Sequence, residues 1–361
     1  MSDLIQEAGR HAVYTTRFAG HLANLFDPYS ERLKKELRLI LLDAPETTQN
    51  IKRINQIIKE FKAISLAIYG EYNAAKLLAE LEEFSALEGN FAVNSLTNAI
   101  NTKATASAPA AAQIWAAVVS KPLVVAGQGG VNLLGKYIED MEAIQVRKVG
   151  DLIKAGFMTG RTNNQIALDI AGKGGFLDKQ NRREIKGVVR TATNHVSNIA
   201  RQKTYDDNSD ILKGYEIVSA LDSRTSDICR GYDGKIVLNN DSVKPMPPFH
   251  LNCRTTTAPV LQARFSIDDG QGTRASKGVD GGEQVPATNS YYDWLSGQGK
   301  QGVRGREFVQ DVLGQERGKL FLDGGLSVAK FKQLTMDELF RPIPLSELRK
   351  KTSLQTAFDS I

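Results

Sequence analysis

The longest helical signal in the chain runs from Asp178 to about Tyr205. Ile185, Val188, Val189, Ala192, Val196 and Ile199 recur there at the spacing that lines up one face of a helix. A helix of this length with a continuous apolar stripe is stable only when the stripe is covered, so other segments must pack against it. Suitable partners lie upstream, between Pro28 and about Gly89. SERLKKELRLILLD places Leu33, Leu37, Ile40 and Leu41 on one face, with Ser30 as its expected N-cap. NIKRINQIIKEFKAISLAIYGEY continues with Ile51, Ile54, Ile58, Phe61 and Ile64 or Ile68. AAKLLAELEEFSALEG adds Leu77, Leu81 and Phe84, and Gly89 is the expected stop. Each stripe has a charged back, which points to an intramolecular bundle. Aromatic residues make up only 7% of the chain, which favours aliphatic helix packing over an aromatic-rich β sandwich.

Thr102 to Gln113 is small and polar and reads as a loop or hinge, followed by a second helical region from about Ala111 to Met158. AGKGG lacks the spacing of a phosphate-binding loop and has no strand before it, so it reads as a turn between helices. After Tyr205 the period changes. GYEIVSA, GKIVL and TTTAPVL are short, β-branched and bounded by Gly, Asp or Pro, as in a small sheet. Ser266 to Ser290 is rich in Gly and polar residues and reads as a flexible linker. Amphipathic patterning resumes from Tyr291 to Ile361. The expected class is α+β and predominantly α-helical. Its expected parts are a helical N-terminal region (1–110), a central helical domain with a small sheet (111–265), the linker (266–290) and a short helical C-terminal extension (291–361).

The formal net charge is +5, compatible with a nucleic acid neighbour. Arg183, Lys186, Arg190 and Arg201 fall on roughly the face opposite the apolar stripe of the 178–205 helix. Such a stripe suits solvent or the phosphates of DNA. The first residues lack a secretory signal pattern and no apolar run reaches membrane-spanning length, so a soluble protein made in a reducing cytoplasm is expected.

Both cysteines lie in one short region, in DSRTSDICRGYDG and PPFHLNCRT. Cys229, His250 and Cys253 are three donors of the kind zinc takes, and Asp222, Asp227 or Asp233 would have to supply a fourth. A Cys–His pair can also act as a thiol hydrolase, but no nucleophile motif surrounds this one. A disulfide runs against the reducing compartment. The fourth reading is structural, with two buried thiols and a histidine bonded to a loop. Around them, Asp222, Ser223 and Thr225 are suited to cap backbone donors, and Arg224 and Arg254 to make forked hydrogen bonds. Pro247 and Pro248 stiffen the approach to His250, so the region reads as a rigid polar corner with no cofactor, a structural zinc being the alternative. His11, His21 and His195 are isolated and read as surface or packing residues.

RTATNHVSN, GYEIVSALDSRTSDICRGYDGKIV and PPFHLNCRTTTAPV, in this order, resemble the head-morphogenesis domain of tailed bacteriophages, the minor head family of the phage Mu F protein. The elements of that pattern fall on Arg190 and Thr191, on Asp222, Arg224, Thr225, Ser226 and Cys229, on Gly234 and Lys235, and on His250, Cys253 and Arg254. The resemblance covers about Glu139 to Leu261. It implies a non-enzymatic virion component that sits inside the head, made in the host cytoplasm. The implied partners are the portal protein, the inner capsid surface and genomic double-stranded DNA bound without sequence preference, with no membrane. The alternatives are a Cys/His-based or metal-dependent hydrolase and an effector ejected into the host.

Overall fold

The computed structural model describes residues 2–43, 51–101, 104–125, 131–267 and 271–361. It is α+β and predominantly helical. The N-terminal half contains helices α1 (Ser2–Asn24), α2 (Asp27–Leu42), α3 (Ile51–Tyr72), α4 (Leu78–Ala99) and α5 (Ala111–Ser120), with a π-helical turn at Asn73–Leu77 joining α3 to α4. A two-stranded ribbon, β1 (Leu123–Val124) and β2 (Val131–Asn132), leads to α6 (Leu134–Met158), α7 (Asn163–Ala171) and the long α8 (Asn181–Asp207). Thr162 caps α7 by accepting from the Gln165 backbone N–H while Gln165 reaches back to the Thr162 N–H.

α8 is the axis of the molecule. Its apolar residues Ile185, Val188, Val189, Ala192, Val196 and Ile199 are all buried, in one cluster with Leu33, Leu37 and Leu41 of α2, Phe61 and Ile68 of α3, and Leu81 and Phe84 of α4. The bundle is therefore intramolecular, as the stripes require. Three local expectations are corrected. Ser30 is a buried residue inside α2, which begins at Asp27 with Pro28 in its first turn. On α3 Ile51 is exposed and departs from the expected face, whereas Phe61 and Ile68 are buried, Ile54, Ile58 and Ile64 pack against the core, and Ile57, Tyr69 and Tyr72 complete the face. Gly89 is not a stop: α4 runs ten residues past it. Gly89 is instead a contact point, because a Cβ there would lie 2.4 Å from Ile114 Cδ1 of α5. The Thr102 to Gln113 segment, of which 102–103 lie outside the described residues, connects α4 to α5, and the region expected to be helical from Ala111 to Met158 is broken by the β1–β2 ribbon, 126–130 also lying outside.

Beyond α8 come β3 (Leu212–Val218), β4 (Leu221–Asp222), the short α9 (Asp227–Tyr232), β5 (Ile236–Leu238) and β6 (Thr256–Leu261). β3 is the middle strand of an antiparallel sheet ordered β5–β3–β6. The segment expected to be a linker is folded where it is described, 268–270 lying outside. It forms a hairpin of β7 (Thr273–Gly278) and β8 (Gly281–Pro286), and β7 pairs in parallel with β4. The inward residues of β7 are Arg274 and Ser276, so ladder hydrogen bonds and an ion pair hold the hairpin, with Val285 of β8 adding apolar contact. The remaining helices, α10 (Tyr291–Gly299) to α15 (Gln355–Asp359), surround a second core of Tyr291, Tyr292, Trp294, Leu295, Phe321 and Phe331 that includes Leu221 of β4.

α1 lies across α8, β6 and β7. It brings His11 to α4, where His11 Nε2 is 2.7 Å from Glu88 Oε1 and its ring stacks on Phe91. Glu88 is fully buried and also accepts from Ser197 Oγ at 2.9 Å, while Arg201 Nε lies 3.1 Å from its second oxygen. Burial alone would raise the Glu88 carboxyl, but the Arg201 charge and the His11 contact outweigh it and hold Glu88 below its ordinary range. Arg201 further donates to Ser197 Oγ and to Thr256 Oγ1 of β6. One buried ion pair thus ties α1, α4, α8 and the sheet.

Candidate functional site

The polar corner is built on three chain segments that meet beside Arg190 and Thr191, well inside α8. The first is the β4–α9 connection. Asp222 ends β4 and accepts from the Arg224 backbone N–H at 3.0 Å and from Thr225 Oγ1 at 3.2 Å, closing a turn. Ser226 caps α9, its Oγ accepting from the Cys229 N–H. The second segment is the turn after the Pro247–Pro248 pair, which carries His250, Asn252, Cys253 and Arg254. The third is α8 itself, through Arg190 and Thr191.

Arg254 joins the first two with a forked pair, Nη1 to Asp222 Oδ2 at 2.5 Å and Nη2 to Oδ1 at 2.7 Å. Desolvation opposes ionisation of Asp222, but Arg254, helped by Arg224 and Thr225, brings it down to about 2. Arg224 is much the weaker partner; it is 78% exposed and makes one contact to Asp222 at 3.3 Å. Arg190 and Thr191 hold the second segment to α8. Thr191 Oγ1 accepts from the Asn252 N–H at 2.9 Å, and Arg190 Nη1 donates to Asn252 Oδ1 at 3.0 Å. Asn252 has φ 63°, a left-handed conformation that Asn tolerates better than most residues. Gly234, at φ 77°, makes the tight return from α9 into β5 and donates its N–H to Ile217 O.

Beside this network, Cys229, His250 and Cys253 converge. Cys229 Sγ lies 3.1 Å from His250 Nε2 and 3.7 Å from Cys253 Sγ. Both thiols are buried and free. His250 Nδ1 is 2.8 Å from Leu251 O. A carbonyl oxygen only accepts, so Nδ1 carries the proton and Nε2 turns its lone pair to the sulfurs. The Cys253 sulfur, followed by burial, pushes the Cys229 thiol well above the ordinary range. The arrangement is rigid and partly closed: Cys253 lines a recess of about 10 Å³, room for one water.

The carboxylates expected as a fourth zinc donor are otherwise engaged. Asp222 holds Arg254, and Asp227 pairs with Arg230 at 2.9 Å. Asp233 is buried, paired with Arg274 of β7 at 3.0 Å, and accepts the Tyr291 N–H at 2.7 Å. Asp233 and Arg274 therefore fasten the hairpin and α10 to the corner, a role the sequence reading missed. The only local signal is the burial of a charge in a polar strand, which periodicity does not report.

The basic stripe is divided. Arg183 and Lys186 are exposed, Arg190 is half-buried against Asn252, and Arg201 is 1% exposed in its pair with Glu88. Arg201 is a core residue and leaves the surface set. The expectation failed because α8 is buried at every position from Thr191 to Arg201, with α1, α4 and β6 packed against it. His195 is also in the core, bonded to Val118 O at 3.2 Å, and burial lowers it to about 4.

The fold and corner define a helical domain with a small strand insert, whose signature polar residues are used to hold its own segments together. Residues 147–258 match the model of the family described as Phage Mu protein F like protein. The matched segment is similar to that phage family and runs from within α6 to within β6. No curated protein and no solved structure matches the chain.

Proposed function

We propose that the chain is a minor head protein of a tailed bacteriophage. It acts inside the head, beside the portal and inner capsid surface, in assembly and in the handling of packaged DNA. The observation that carries this reading is the family match over the segment that holds every part of the polar corner. The corner supports a non-catalytic role, because its charged groups are paired with one another and its thiols are buried. No described helix is long and apolar enough to cross a membrane. DNA contact falls to Arg183 and Lys186, for which no ion pair occurs among the described residues, with Arg190 and the exposed Arg224 nearby.

Mass spectrometry of purified particles, together with particle density at the portal vertex, tests the location. The chain should be retained in mature heads, and its absence from them would defeat the proposal. A hydrolase built on the thiols is tested by incubating the purified chain with ester, peptide and nucleic acid substrates; turnover that disappears in Cys229→Ser would establish it and defeat the non-catalytic reading.

A further inference from the structure

We propose that Cys229, His250 and Cys253 form a zinc site that locks the polar corner. Their donor atoms come from α9 and from the 250–253 turn, yet all lie within 4.8 Å of one another. Two sulfurs each about 2.3 Å from a tetrahedral zinc are about 3.8 Å apart, and the sulfurs of Cys229 and Cys253 are separated by 3.7 Å. The imidazole is already in the ligating tautomer. Its Nδ1–H is held by Leu251 O, so Nε2 is fixed with its lone pair toward the thiols, the arrangement of oriented metal-binding histidines.

Charge favours the same ion. Two thiolates buried side by side repel each other, and a divalent cation between them neutralises both. Binding is the exchange of Zn²⁺ for two thiol protons, with both Zn–S bonds formed and no change of oxidation state. The thiolate and imidazole set selects zinc against magnesium or calcium, which take oxygen donors. Among the described residues the cluster has three protein donors, because Asp222, Asp227 and Asp233 are committed to arginines. The fourth position is therefore left to water. Zinc here would join α9 to the turn that Asn252 and Arg254 fasten to α8 and β4. Its role is that of a brace beside the Arg254–Asp222 fork.

The test uses the untagged full chain, purified with a phosphine reductant so that the thiols stay reduced and no tag histidine competes. Elemental analysis should give about one zinc per chain, the stoichiometry of a single mononuclear site. Removing it and adding Co²⁺ should produce thiolate-to-cobalt charge-transfer absorption with intense four-coordinate ligand-field bands. His250→Ala should weaken cobalt binding by more than the roughly 10–100-fold typical when a ligand loses its own hydrogen-bond partner. Because that variant could misfold, the wild-type chain supplies an independent readout. Zn²⁺ should slow alkylation of both cysteines and raise the thermal midpoint. A folded, metal-free wild-type chain that shows no cobalt–thiolate band and no zinc protection of its thiols would overturn the proposal. So would metal bound equally well after Cys229, His250 and Cys253 are each replaced.

Discussion

Replacing Glu88 with Ala should destabilise the chain by about 3–5 kcal/mol, the cost of leaving one member of a buried ion pair behind. The magnitude follows from where Arg201 would be left. Its guanidinium is 1% exposed and would keep only neutral acceptors: Ser197 Oγ at 2.6 Å, Thr256 Oγ1 at 2.7 Å and backbone carbonyls. His11 would lose its 2.7 Å partner at the same time. Glu88→Gln keeps the shape and an acceptor and should lose less. The double variant Glu88→Leu/Arg201→Met removes both charges and should recover most of the loss, because the penalty comes from the unpaired cation. The folded-state carboxyl titrates below its ordinary 4.5, so its contribution is present above that value and disappears as pH falls through the lower, folded one. The gap between wild type and Glu88→Ala should therefore narrow in acid. Urea unfolding read by circular dichroism and by the two tryptophans, Trp115 beside the helical core and Trp294 in the C-terminal core, measures each variant. A single variant within about 0.5 kcal/mol of wild type, or a double variant no more stable than Glu88→Ala, would refute the reasoning.

Asp222 titrates at about 2 against an ordinary 3.8, so Asp222→Asn should cost about 2 kcal/mol near neutrality. That difference should vanish between about pH 4 and pH 2 as the wild-type carboxyl protonates, which acid titration of urea midpoints will check. Glu216 behaves oppositely: burial and then the Asp233 charge push it up to about 7. Its folded pKa lies above its unfolded one, so wild-type stability should be highest below about pH 4.5 from this group and fall as pH rises through 7. Glu216→Gln should remove that decline and leave the chain up to about 3 kcal/mol more stable at pH 8, measured by thermal midpoints across pH. For duplex DNA, Lys186→Ala should lower affinity for all sequences alike and reduce the slope of log K against log salt by about one. Binding that does not weaken with added salt would remove the DNA contact.

The bundle was legible because its stripes are aliphatic and its period is clean. α8 was readable for both reasons, and Leu33, Leu37 and Leu41 followed the same rule in α2. The β7–β8 hairpin was not legible, since the residues facing inward on β7 are Arg274 and Ser276 and those facing out are Ala275 and Lys277, which inverts the usual alternation. α1 gave a weak signal because small residues such as Ala8, Ala19 and Ala23 carry much of its buried face. At the corner, the residues of the motif were legible, but their pairings were not. Thr191 and Arg190 precede Asn252 by about sixty residues, and only the folded chain shows that the helix pair grips that turn. Arg201 looked like one more basic residue on an outer face because a helical wheel carries no information about what lies against it.

The placement of α1 sets an order of events during synthesis. It is made about 250 residues before β7, one of the strands it rests on. At ribosomal speeds of about 5–20 residues per second, its apolar side waits on the order of ten to fifty seconds for that docking surface to exist. Through that interval α1 has α4 and α8 to settle against first, so the side that meets the hairpin is the last of its surfaces to be covered.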